Sequence, residues 1–93
     1  MDKLALFNAV ARVAKPIHLT FKDFDSLEKK FKDSEIDSLD TLLICVYFCE
    51  LYGISEENGK KMLPSSPQEI FGFLETHKTK EPSSIEEALE QIK

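Results

Sequence analysis

The stretch that most restricts the fold of this chain is Leu42 to Cys49, eight consecutive apolar residues in a total of 93. Apolar character extends on both sides of it, from Leu39 to Tyr52, interrupted by Asp40 and Thr41 near one end and Glu50 near the other. Eight residues fall far short of the ~20 needed to span a bilayer, so no membrane span is expected. No stretch elsewhere supplies credible strand partners, so the run reads as a helix from Ser38 to about Tyr52. Leu39, Leu42, Leu43, Val46, Tyr47 and Glu50 then fall in one row, and Ile44, Cys45, Phe48, Cys49, Leu51 and Tyr52 fill most of the rest. A helix that is apolar nearly all round is either central in its domain or covered by something else. Gly53 supplies the left-handed terminator.

The flanking sequence predicts more helices. Lys3 to Lys15 repeats apolar residues at helical spacing (Leu4, Phe7, Ala11, Ala14), with Asp2 as N-cap and Pro16 as the stop. Residues 16–36 form a long connection with apolar anchors: Ile17, Leu19, Phe21, Phe24, Leu27 and Phe31. Such a segment is expected to lie on the core, with a helical turn over Ser26–Phe31 capped by Asp25. Ser55 caps a short helix over about Glu56–Met62. Ser66-Pro67-Gln68-Glu69 starts another that reaches about His77, with the hydroxyl as cap, Pro at the first position and Glu at the third. Gly72 inside that helix costs up to ~1 kcal/mol against Ala, which predicts a close backbone contact there. Ser84-Ile85-Glu86-Glu87 is a further capping box, opening a last helix to about Ile92. The expected fold is all-α, a small four-helix bundle over residues 1–78, followed by a loop and a short amphipathic C-terminal helix over residues 79–93.

Charge narrows the partners. Residues 1–32 hold seven basic and four acidic side chains, a balance of +3, whereas residues 33–93 hold five and thirteen, a balance of −8. An acidic surface of that kind excludes nucleic acid, whose phosphates need a basic footprint, and favours partners that present Lys and Arg. Met1 to Ala14 is amphipathic and charged, unlike the apolar segment of a signal peptide. Cys45 and Cys49 share a helical face at i, i+4, a geometry that rarely suits a disulfide. They read as reduced, buried thiols of a cytoplasmic protein, and His18 and His77 lack the spacing to complete a metal site with them.

Asp37-Ser38-Leu39-Asp40 opens the apolar helix. It places a small hydroxyl between two carboxylates, with no Gly-rich elbow or oxyanion motif of the kind a nucleophilic serine uses. Ser38 is therefore either the cap of the helix or a point of covalent attachment. Paired carboxylates do acid–base work only at a suitable separation and with shifted pKa values, so Asp37 and Asp40 read as cap-adjacent or partner-facing groups. Leu39, Leu42 and Val46 are expected mostly as core residues, with pocket lining as the lesser alternative and Leu39 turned either inward or toward a partner, and Leu43 as either core or a partner contact.

The layout resembles the acyl carrier protein family over roughly residues 3–77. It shares Asp37-Ser38-Leu39-Asp40-Thr41, a helix ending in Glu50-Leu51-Tyr52-Gly53-Ile54, and a Ser-capped final helix from Ser66 to Leu74. That resemblance implies a non-catalytic protein with 4′-phosphopantetheine on Ser38. A phosphopantetheinyl transferase would attach it from coenzyme A, and its thiol would carry an acyl group as a thioester in fatty acid or other lipid metabolism. It also implies partner contacts through Asp37, Leu39, Asp40, Leu43 and Glu50; nothing in the sequence demands more than a monomer. Asp25-Ser26-Leu27-Glu28 repeats the first three letters but precedes Lys29-Lys30-Phe31-Lys32 and no long apolar helix, so Ser38 is the candidate. The chain departs from the family in having Leu43 and Cys49 where carboxylates are common, Ser34-Glu35-Ile36 in place of a Gly-containing turn, and a helix after residue 84. Those departures point to a specialised pathway with its own acyl-transferring or acyl-modifying enzymes. Two other readings remain open: an aminoacyl or peptidyl carrier, and a carrier-like interaction module without a prosthetic group.

Overall fold

The structure, a computed structural model, describes residues 2–14, 23–34 and 36–92. Helices α1 (Lys3–Ala14), α2 (Ser38–Leu51), α3 (Glu56–Gly59), α4 (Pro67–His77) and α5 (Ile85–Ile92) form a small bundle, with one 3-10 turn at Phe31–Asp33 and no strand among the described residues. Helices α1 and α2 pack together, and α4 and α5 each lie against both. The core is built from Leu6, Phe7 and Val10 of α1, Ile44, Phe48 and Leu51 of α2, and Ile70 and Leu74 of α4, all essentially inaccessible to solvent. The last helix belongs to the same core, burying Ala88 and Ile92.

Local chemistry explains most boundaries. The Asp2 carboxylate accepts from the amides of Leu4 and Ala5 at 3.0 and 3.3 Å, satisfying donors that the first turn of α1 leaves unpaired. At the end of α2, Gly53 adopts φ +65°. Its amide bonds to the Glu50 carbonyl, and that of Ile54 bonds to the Cys49 carbonyl, the paired pattern of a left-handed helix stop. A Cβ at Gly53 would also run into Thr79 Oγ1. That hydroxyl donates to the Gly53 carbonyl at 2.7 Å, and the Thr79 amide donates to the Tyr52 carbonyl at 3.0 Å. These bonds steer the chain from α4 back toward α5. Ser55 caps α3 through the Asn58 amide. This helix is shorter than its sequence predicts, because the amides of Lys61 and Met62 bond three residues back and tighten the chain into turns.

The connection before α2 meets one expectation and corrects another. Phe24 and Phe31 are buried and Leu27 is half-buried, so the described part of the segment lies on the core; Ile17, Leu19 and Phe21, with Lys15 and Pro16, lie outside the described residues. No helix capped by Asp25 forms over residues 26–31. Ser26 Oγ accepts from the Glu28 amide at 3.1 Å and closes a turn instead, which moves the helical turn to Phe31–Asp33. Its described part is fastened to both α1 and α4. Asn8 of α1 donates through Nδ2 to the Phe24 carbonyl at 3.0 Å and accepts the Phe24 amide on Oδ1 at 2.8 Å. Near α4, the Phe31 amide donates to the Ser65 carbonyl and the Gln68 amide to the Leu27 carbonyl, both at 2.9 Å.

Two details of α4 also differ from expectation. Ser66 holds the N-cap position, but its side chain makes no capping bond and is buried. The Glu69 carboxylate reaches past it to the amide and hydroxyl of Ser65, each at 2.9 Å, and these bonds hold its pKa below the usual carboxylate value. Gly72 has no close neighbour: an added Cβ meets nothing within 4 Å.

Cys45 and Cys49 are free and buried. Burial, with the neighbouring Cys49, pushes the Cys45 thiol from 9.0 to about 12; burial also raises Cys49. A thiol whose folded pKa is raised favours the folded chain below 9. The unfolded chain loses its proton first, so stability falls as pH climbs from 9 toward 12.

Three outcomes follow for urea denaturation. Asn8→Ala costs ~1–3 kcal/mol, because the Phe24 amide and carbonyl both lose their bonds to the Asn8 side chain. Gly72→Ala gains ~0.5–1 kcal/mol, since the glycine is unconstrained there. The wild-type chain loses stability between pH 9 and 12, and Cys45→Ala flattens that decline while leaving the parts due to Cys49 and Tyr52, whose raised pKa values act in the same direction.

Candidate functional site

The first turn of α2 is built by Asp37, which is its N-cap. The Asp37 carboxylate accepts the Asp40 amide at 2.9 Å, and the Asp40 carboxylate accepts the Asp37 amide at 3.4 Å, a reciprocal capping box. The Thr41 amide and hydroxyl both donate to the Asp37 carbonyl at 2.9 Å. Ser38 is thereby the first helical residue and not the cap. It is exposed, and its hydroxyl makes no hydrogen bond among the described residues. The amides of Ser38 and Leu39 likewise have no partner among the described residues, leaving two donors at the positive end of the helix dipole.

From Ser38 the exposed side of α2 runs through apolar residues. Leu39 is 74% exposed, Leu42 62%, Val46 52% and Leu43 38%. The expectation that Leu39, Leu42 and Val46 belong to the core is thus corrected. Ile44, Cys45, Phe48, Cys49 and Leu51 face inward, and among the described residues no helix covers the other side. Glu50, also exposed, closes the stripe at its C-terminal end. Asp37 and Glu50 therefore stand at opposite ends of the stripe that Leu39 and Leu43 help to form, with half-buried Asp40 beside Asp37. Leu63, elsewhere on the surface, is a single exposed apolar side chain of an ordinary kind.

A concavity lies elsewhere. A shallow, open groove of about 400 Å³ is lined by Asp2, Leu4, Ala5, Asn8, Ala9, Arg12 and Asp23. The Arg12–Asp23 ion pair at 2.6 Å crosses one side of it, and no α2 residue contributes. Ser26, the competing serine, is half-buried with its hydroxyl occupied by the turn it closes. Lys29 rests over the Phe24 ring, 5.4 Å from its centre, while Lys30 and Lys32 are solvated. His77 stacks on Phe73 at 4.2 Å and contacts the Phe73 carbonyl through Nδ1, as a helix-end residue.

What the sequence did not reveal is the division of labour between Asp37 and Ser38. Both residue types are good caps, and only the backbone shows which one stands outside the helix. Comparison with known proteins adds nothing to this geometry: no family model, no curated protein and no solved structure matches the chain.

The two roles separate by mutation. Asp37→Ala costs ~0.5–2 kcal/mol of stability, the usual range for a lost cap, whereas Ser38→Ala stays within ~0.5 kcal/mol of the parent. Thermal and urea unfolding of the two variants measures the difference. Equal losses would return the capping role to Ser38.

Proposed function

We propose that this chain is a specialised acyl carrier protein, with Ser38 bearing 4′-phosphopantetheine. The observation that carries the reading is a serine exposed on the first turn of the central helix and relieved of capping by Asp37 and Asp40. A serine kept only as a cap would be held by the amides it serves; this one is not.

The residues present fit the group. Attachment forms a bond from Ser38 Oγ to the pantetheine-side phosphorus of coenzyme A and breaks the pyrophosphate link. Adenosine 3′,5′-bisphosphate leaves, and the serine proton passes to a base on the transferase. The phosphodiester adds negative charge beside the amides of Ser38 and Leu39 and the helix dipole, which favour it. The carboxylates of Asp37 and Asp40 oppose it, but each is held toward the backbone by the capping box. Once attached, the arm supplies a thiol that holds an acyl group as a thioester. Helix α2 fixes the point from which the arm swings, and the chain itself performs no chemistry on the cargo.

This reading makes the partners a phosphopantetheinyl transferase and the acyl-handling enzymes of one lipid pathway, in the cytoplasm, where Cys45 and Cys49 stay reduced. No helix among the described residues is long and apolar enough to cross a membrane.

Incubation with coenzyme A and a broad-specificity transferase tests the proposal by intact mass and peptide mapping. The expected result is addition of one phosphopantetheine on the peptide containing Ser38, abolished by Ser38→Ala and unchanged by Ser26→Ala. No mass gain with several transferases would overturn it and leave a carrier-like interaction module. A gain lost only in Ser26→Ala would move the attachment point.

A further inference from the structure

We infer that the junction between residues 27–32 and 59–68 is a contact surface for an anionic lipid bilayer, with Leu63 entering the interface and lysines held at the headgroups. The inference goes beyond the carrier reading and uses neither Ser38 nor the exposed side of α2.

Two backbone bonds build the junction. The Phe31 amide donates to the Ser65 carbonyl and the Gln68 amide to the Leu27 carbonyl, each at 2.9 Å. Phe31 and Met62 are buried in the core. Their neighbours turn outward, Lys30 and Lys32 on one segment and Lys61 and Leu63 on the other. Together the two segments hold five lysines (Lys29, Lys30, Lys32, Lys60 and Lys61) against one acid, Glu28, in a chain whose net charge is −5. None of the five forms an ion pair among the described residues, whereas Lys3, Arg12 and Lys78 are paired with Glu75, Asp23 and Glu81. Glu69 borders the junction and feels Lys30, but its carboxylate is held by the amide and hydroxyl of Ser65. Positive charge is thus gathered on one part of an acidic molecule and left without close counter-ions.

The chemistry of the junction selects lipid among anionic occupants. Leu63 is 89% exposed; alone it is ordinary, but it projects from a turn that carries Lys60 and Lys61. A protein partner at a standard interface buries ~800 Å² on each side and is anchored by Arg, Tyr or Trp seated in pockets. The junction offers one exposed large apolar side chain and otherwise flexible lysines, and its one ring, Phe31, is buried. Nucleic acid lacks both the basic domain and the exposed rings it uses. A fluid bilayer needs neither shape complementarity nor an anchor pocket. Lysine stems lie along the interface with their ammonium groups at the phosphates, and the leucine adds apolar burial. Each lysine near such a surface strengthens binding by about fivefold. The molecule is 33 Å long, and charge is screened over ~10 Å at 0.1 M salt, so acids elsewhere in the chain weigh less than lysines at the contact. Binding is therefore reversible and sensitive to salt.

The test floats the full chain with two kinds of vesicle, phosphatidylcholine alone and phosphatidylcholine with an equal part of phosphatidylglycerol, at about 0.1 M and about 1 M salt. Affinity for the anionic vesicles is expected to exceed that for the neutral ones by at least about tenfold at the lower salt and to vanish at the higher. Lys32→Gln and Lys61→Gln should each weaken binding about fivefold, and Leu63→Ser about tenfold. Melting should stay unchanged in all three, because these side chains are exposed. Equal binding to the two vesicles, no binding to either, or binding indifferent to the lysine variants overturns the inference. So does binding unchanged by Leu63→Ser, which would make the junction a general anion surface and not a lipid contact. Binding lost in Val46→Ser also overturns it, by moving the contact to the α2 strip. Transferase loading, read by mass, tests the carrier reading separately, so either can fail alone.

Discussion

The fold depends on the ring of Phe7. It is fully buried and lies 5.0 Å from Phe24, 6.0 Å from Phe31 and 6.3 Å from Phe48, centre to centre. Phe48 continues the cluster to Phe71 at 5.3 Å and Tyr52 at 6.4 Å. One residue of α1 thus joins the long connection and the central helix, and one residue of α2 passes the contact on to α4. In a domain this small, few residues are far from the surface, and aromatic rings supply more buried area per residue than any other side chain. The Asn8 clamp on the Phe24 backbone acts one residue from Phe7. It allows the connection to bury Phe24 without leaving that residue's amide and carbonyl unpaired.

That cluster decides which side of α2 is inside. Phe48 must face Phe7 and Phe71, so Ile44, Cys45 and Leu51 turn inward with it, and Leu39, Leu42, Leu43 and Val46 turn out. Helical periodicity could not settle this from the letters, because both sides of α2 are apolar and the pattern carries no direction. The same fact made the second helix easy to find and hard to orient. Short-range chemistry was much more legible. Asp2, Gly53, Ser55 and Ser84 do what their residue types and positions predict, because each acts within a turn of its own helix. Where the expectation failed, a competitor lay nearby. Ser65 takes the Glu69 carboxylate ahead of Ser66, and Ser26 closes its own turn. The Asn8–Phe24 contact spans sixteen residues and had no local signal. Gly72 marks no contact, so the glycine alone was a poor sign of one.

The candidate site combines a local feature with a global one. The motif around Ser38 is short, and the chain contains a near copy at Ser26, so its letters have little weight alone. The surroundings separate the two. Ser26 lies in a turn that uses its hydroxyl; Ser38 stands at the head of the helix to which α1, α3, α4 and α5 all pack. Rigidity matters for an attachment point, because a tethered group is positioned only as well as its base.

The capping box and the apolar strip bear on one another. Because Asp37 and Asp40 satisfy each other's backbone, the first turn of α2 is stable without Ser38, and the serine is available for a role that exposes it. Because the strip begins beside that serine, anything that docks on Leu39, Leu42 and Val46 also approaches the Ser38 hydroxyl. An exposed run of apolar residues invites nonspecific association, and this one lies beside an exposed hydroxyl with carboxylates at both ends. On the proposed carrier reading, a group borne on Ser38 would project from the edge of that strip, close to whatever lies against Leu39 and Leu42.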